Sequence, residues 1–244
     1  MSTLTNLIAY WRMDEASGDR RDSVGALDLE PSGTVNHTTG KLGDGAVALP
    51  SAATWLVAGG TVPADFSAAT MTLAGWLRID TASGTSTRGF LQFDVHNGSG
   101  GNIRELTLSI NNNTGELELN TRDVDTSTDE TVVASTFGAL STGTWYHVVI
   151  VWDGNDARLL VNGTEDSGSA KSMLGSLTIQ SHVFGYSTGS DHEISLDDWG
   201  LWNEEISATD ISDLYNSGTG AVPPGLGYPA GSGNQSAFFG FHGF

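Results

Sequence analysis

The chain contains no cysteine among its 244 residues. Disulfides, thiolate metal ligands and thiol nucleophiles are therefore excluded, the redox compartment stays open, and the fold must be held by its core. Basic residues are scarce, 10 Lys and Arg against 29 Asp and Glu, for a formal net charge of −19. Nucleic acid and anionic membrane surfaces repel such a chain. Carboxylates in this excess either serve solubility or suit hard divalent cations. Residues 1–13, MSTLTNLIAYWRM, have neither the basic start nor the apolar run of a signal peptide. No later stretch reaches membrane-spanning length. The expectation is a soluble chain made in the cytoplasm, without membrane insertion. Also missing are long stretches with apolar residues at helical spacing, so helices should be few.

What is present points to strands. Gly is abundant at 32 residues, and hydrophobic residues make up 38 %, with 7 Trp and 9 Phe to fill a core. Apolar runs bounded by Gly, Asn, Asp or Ser predict strands at 71–79, 89–94, 105–110, 116–120, 145–153, 158–161, 177–185 and 193–202. Leu106, Leu108, Ile110, Leu117 and Leu119 fall on one face of their strands, and polar residues occupy the other, as on a sheet with one wet side. Segment 145–153 has no polar face and predicts a central strand. Trp76, Trp145, Trp152, Trp199 and Trp202 lie in strands and are assigned to the core, with His147 as a hydrogen-bonded packing residue. Asn162–Gly163 tolerates positive φ and closes an antiparallel hairpin. Ser207 can cap a short helix over 208–216, with Ile206 against Ile211 and Gly218 ending it. The fold class predicted is all-β, a two-sheet antiparallel sandwich with one short C-terminal helix. One domain spans 1–220. Residues 221–244, PPGLGYPAGSGNQSAFFGFHGF after Ala221 and Val222, read as a Gly/Pro-rich linker and an aromatic terminal peptide.

Five segments carry a resemblance: LIAYWRMDEASGDRRDSVG at 7–25, GKLGDGAVAL at 40–49, MTLAGWLRI at 71–79, GTWYHVVIVWDGNDARLLVNGTE at 143–165 and EISLDDWGLWNEEISATDISDLYNSG at 193–218. In this order the chain resembles laminin-G-like domains of the concanavalin A-like lectin/glucanase superfamily. The resemblance implies a jelly roll of two facing antiparallel sheets. It does not settle function, because lectins, protein-binding modules, structural domains and some glycosidases share this fold. It also implies a structural or ligand-bridging calcium, held by acids near the first strand and on the last: Asp14, Glu15, Asp22, Asp197 and Asp198. Adjacent Asp197 and Asp198 on a regular strand would face opposite sides, so one of them at most would reach a given ion. The same acids can instead turn their own backbone and anchor loops without metal.

For a glycan, the expected tools are aromatic faces and planar polar groups on loops or on a sheet face. Trp55, Arg88, Gln92, His96, Asn97, Asn102 and Arg122 are the candidates. Hydrolysis would need two carboxylates facing across a cleft. Glu116 and Glu118 share a strand face, but GELELNT at 115–121 has Asn120 where a glucanase relative carries a further acid, so catalysis is not expected. In FFGFHGF, Phe238, Phe239, Phe241 and Phe244 would be a liability in free solution and are assigned to assembly, anchoring the chain to other virion proteins or to copies of itself. The setting that joins these expectations is a bacteriophage virion surface, of capsid-decoration or fibre type, with a lectin-like domain meeting host glycans. The alternatives are an extracellular bacterial lectin or adhesin and, behind it, a glycoside hydrolase.

Overall fold

The structure, a computed structural model, describes residues 6–50, 54–58, 67–68, 70–81, 88–96, 103–111, 113–123, 128–133, 137–153, 156–166, 171–172, 177–184 and 193–227. In chain order the strands are β1 (Leu7–Trp11), β2 (Leu29–Ser32), β3 (Asn36–Thr38), β4 (Ala46–Leu49), β5 (Trp55–Ala58), β6 (Ser67–Ala68), β7 (Met71–Thr81), β8 (Arg88–His96) and β9 (Ile103–Ile110). There follow β10 (Leu117–Asp123), β11 (Thr128–Val133), β12 (Trp145–Trp152), β13 (Asp156–Val161), β14 (Thr164–Glu165), β15 (Lys171–Ser172), β16 (Leu177–Phe184) and β17 (Glu193–Trp202). Helix α1 spans Ala208–Tyr215 and runs into a 3-10 turn, Asn216–Gly218.

The strands form two sheets. Sheet A runs β14-β13-β12-β7-β17-β4-β3, with β1 also on β17 and β15 on β13; sheet B runs β11-β10-β9-β8-β16-β5-β2, with β6 on β16. β17, near the end of the described chain, lies in the middle of sheet A and pairs antiparallel with β1 and β4 from the beginning. The first and last parts of the domain are thus side by side. β12 is central as its sequence predicts, flanked by β7 and β13.

Alternation explains the core. Leu106, Leu108, Ile110, Leu117 and Leu119 of sheet B are buried against Leu73, Leu77, Ile79, Val148 and Ile150 of sheet A. Trp11, Trp152 and Trp199 fill the space between them, with the Phe184 ring edge-on to Trp11 at 5.7 Å and to Trp199 at 5.4 Å. The Trp199 ring lies so close to Gly75 that a Cβ there would come within 2.3 Å of it. The turn between β13 and β14 is Asn162–Gly163, both at positive φ (52° and 76°), the conformation a two-residue hairpin requires.

A second apolar cluster lies on the outside of sheet A, where Ile206, Ile211 and Leu214 cover Ala74, Val149, Val151, Leu160 and Trp202. Ser207 Oγ accepts from the Asp210 amide at 3.1 Å and caps α1 as expected. The helix ends earlier than the expected Gly218: Asn216 adopts the left-handed conformation (φ 46°) and returns its N–H to the Ser212 carbonyl. Beyond residue 220, the end of the domain in the sequence reading, the chain remains packed. Val222 and Leu226 rest on the outer cluster, and Arg12 Nη2 donates to the carbonyls of Leu226 and Gly227. Ending the chain at Gly220 should therefore cost about 2 kcal/mol in urea unfolding relative to the full chain, from two half-buried apolar side chains.

Candidate functional site

The five acids implied as calcium ligands all accept hydrogen bonds from the protein itself. Asp14 Oδ1 accepts from the amides of Asp44 (3.0 Å) and Gly45 (2.9 Å). Asp22 takes the amides of Tyr10 and Val24 on Oδ1 and of Leu27 on Oδ2. Glu15 Oε1 takes the amide of Arg21. Asp197 Oδ2 accepts from Lys41 (2.6 Å) and Leu42 (2.9 Å), so the last long strand holds the 41–45 turn. Asp198 Oδ1 accepts from the Tyr10 hydroxyl at 2.6 Å. The expectation that Asp197 and Asp198 face apart does not hold. A bulge between Asp197 and Gly200 puts Asp198 at φ 48° and breaks the alternation, leaving the two carboxylates near enough to couple.

Burial, then the negative charges of Asp198 and Asp14, push the Asp197 carboxyl well above the usual carboxylate range. Its Oδ1 is buried without a hydrogen-bond partner. Asp14 is also raised, by burial, against the pull of its two amide donors. Calcium needs six to eight oxygens around one point. Among the described residues no three His, Asp or Glu side chains gather to hold a metal ion. Burial of Asp197 beside like charges favours its protonated form.

The glycan candidates fall mainly on sheet B. Register places Gln92, Thr107, Asn120 and Thr131 in one transverse row, and Asp94, Glu105, Arg122 and Asp129 in the next. Gln92 and Arg122 are thereby brought to adjacent rows on strands flanking β9. Arg88 opens β8 opposite Ile110, His96 closes it opposite Ile103, and Trp55 lies on β5, beyond β16. Asn97, Asn102, Phe238, Phe239, Phe241 and Phe244 lie outside the described residues.

Between these rows and the hairpin end is an ordered polar network. The Asn120 amide donates to Ser109 Oγ at 2.9 Å, Ser109 Oγ donates to the Glu118 carbonyl at 3.3 Å, and Asn111 Nδ2 donates to Glu118 Oε1 at 2.5 Å. Ser109 is buried, whereas Asn120 and Glu118 are half-buried, so a buried hydroxyl fixes an amide on the outer side of the sheet. Glu116 precedes β10, in the turn. Glu118, held by Asn111, lies on the strand.

Sequence reasoning missed one placement and one hydrogen-bonding role on sheet A. Trp145, assigned to the core, is only half-buried and lies on the outer face, because the alternation of β12 directs Tyr146, Val148 and Ile150 inward. His147 is buried between Trp76 (5.2 Å between ring centres) and Tyr215 (6.1 Å, stacked). Its packing is as expected and its amide donates to Asn162 Oδ1, but its Nδ1 has no hydrogen-bond partner. Burial lowers its pKa to about 3. Facing apolar periodicity marks a strand as central without showing which of its two apolar sides is covered.

A family model described as Concanavalin A-like lectin/glucanases superfamily, of laminin-G type, matches residues 42–212. The chain belongs to this superfamily. No curated protein matches it in sequence. Among solved structures, the receptor binding domain of botulinum neurotoxin C/D mosaic serotype is similar with a TM-score of 0.65 and 17% identity, over 86% of this chain and 51% of that one. A Trypanosoma rangeli sialidase gives 0.66 and 16%, over 87% of this chain and 33% of its own. The ligand binding domain of botulinum neurotoxin serotype D, solved in complex with N-acetylneuraminic acid, gives 0.63 and 17%, over 86% and 50%. The superfamily member thus spans about half the length of the neurotoxin domains and a third of the sialidase. At these identities the likeness is one of fold: a lectin-like antiparallel sandwich.

Proposed function

We propose that the chain is a non-catalytic binding module that recognises glycan through the polar outer face of sheet B. The observation that carries this reading is the Ser109–Asn120 bond: a polar group held in place on the outer side of a strand loses little entropy on meeting sugar hydroxyls. The superfamily, and a similarly folded domain solved with N-acetylneuraminic acid, support the ligand class. A glycan array should return a defined set of positives for the purified chain, and Asn120→Ala should weaken the best of them about tenfold, the loss of roughly one good hydrogen bond. A blank array, or full binding by the Asn120→Ala variant, would reject the reading.

For the setting, we propose a bacteriophage virion surface, on the basis of the four Phe that follow the Gly/Pro-rich stretch. Calcium has no part in the proposed recognition.

A further inference from the structure

The outer face of sheet A is covered unevenly. At one end α1 and residues 221–227 lie on the second apolar cluster. Next comes a closed stack of Trp76, His147 and Tyr215, with Lys41 Nζ 4.8 Å from the centre of the Trp76 ring. One register step further, Trp145, Arg78 and Ser195 form a transverse row across β12, β7 and β17. Trp145 is half-buried here, and the Arg78 guanidinium lies 4.8 Å from the centre of its indole.

The bonding of Arg78 is uneven. Its Nε donates to Asp80 Oδ1 at 2.5 Å, and Asp80 Oδ2 accepts from the Ser195 hydroxyl at 2.5 Å, with Ser195 itself fully buried. The outer nitrogens reach only long contacts: Ser195 Oγ at 3.2 Å, the Thr39 carbonyl at 3.4 Å and Thr38 Oγ1 at 3.5 Å. Such distances lie at the edge of hydrogen bonding, so the outer N–H groups keep donor capacity. The Arg78 side chain is 17% exposed and that of Asp80 23%, so solvent-borne groups can reach both. The guanidinium is held in place by one ion pair and one ring, while its outer donors are under-used.

We propose that Trp145, Arg78 and Asp80, braced by Ser195, form a binding subsite for an uncharged pyranose ring, distinct from the Asn120 face on the opposite sheet. Three features select this class of ligand. The Arg78–Asp80 couple cancels its own charge, so it attracts neither anion nor cation strongly, and a chain of net charge −19 disfavours acidic sugars further. A donor fork beside a carboxylate edge matches adjacent sugar hydroxyls, each of which both donates and accepts. The indole supplies the apolar surface on which the C–H face of a pyranose packs.

The test is a titration of the full chain with neutral methyl glycosides of glucose, galactose, mannose and N-acetylglucosamine, followed by amide and indole N–H signals in NMR. The Trp145 indole signal, assigned by its loss in Trp145→Phe, should move with saturation on at least one glycoside. Arg78→Lys, which keeps the charge and loses the fork, should weaken that binding about tenfold while preserving the backbone amide spectrum. Asn120→Ala should leave it unchanged, which separates this site from the sheet B reading. No movement of the Trp145 signal with any glycoside, or movement that persists undiminished in Arg78→Lys, would show that the row is only a structural brace.

Discussion

Asp197→Ala should lower the unfolding free energy by about 3 kcal/mol, while Asp197→Asn should cost less than about 1. The Ala variant strands two amides, of Lys41 and Leu42, that end on Oδ2, each at a cost of about 1–3 kcal/mol, partly offset by removing a buried acid. Asn retains an acceptor for both amides. It also resembles the protonated state toward which burial and the charges of Asp198 and Asp14 drive the carboxyl. The sign follows from the raised value. The folded chain binds more protons than the unfolded one above the ordinary pKa of 3.8, so the stability contributed by Asp197 is present at low pH and falls as pH rises through its folded value. In Asp197→Asn this fall should disappear. Urea titrations across pH, with and without EDTA, measure it. If Asn proves as damaging as Ala and EDTA lowers the midpoint, the carboxylate is needed in its charged form and a cation belongs beside it.

Acid should destabilise the protein through His147 in the opposite direction. The folded pKa of about 3 lies below the ordinary 6.5, so between these values the unfolded chain takes up a proton that the folded chain refuses. Stability from this group is complete above pH 6.5 and is lost as pH falls, at up to about 1.4 kcal/mol per unit, or roughly 3 kcal/mol by pH 4. His147→Phe keeps a ring between Trp76 and Tyr215 and removes the titration. Its stability at pH 7 should stay within about 1.5 kcal/mol of the parent, with the acid slope reduced by that amount. A parent and variant with the same slope would mean that His147 opens to solvent before it protonates.

The sandwich was legible because its long strands obey a simple rule. Leu106, Leu108, Ile110, Leu117 and Leu119 announce one covered face, and the central position of β12 follows from apolar residues on both of its sides. Short strands such as β3, β5 and β6 carry too few residues for a period to show, and their pairing rests on longer neighbours. Ser207 as helix cap was readable for a similar reason, since capping is decided within three residues. Asn216, not Gly218, ends the helix, because either residue tolerates the left-handed conformation and packing of the following turn chooses between them.

The candidate sites were less legible. Asp197 and Asp198 looked opposed because a regular strand was assumed, and a single bulge changes that. Trp145 looked buried because composition does not show that, among the described residues, α1 and residues 221–227 cover one end of sheet A and do not reach Trp145.

By itself the sequence determined the class of fold, the central strand, the hairpin at Asn162–Gly163 and the absence of any thiol chemistry, since each depends on neighbours a few residues apart or on composition alone. Tertiary structure alone decided that Asp197 holds the 41–45 turn across 156 and 155 positions, and that Arg78 lies between Trp145 and Ser195. Those contacts join strands remote in the chain, and their register is chosen by the packing of two whole sheets, which no local pattern encodes.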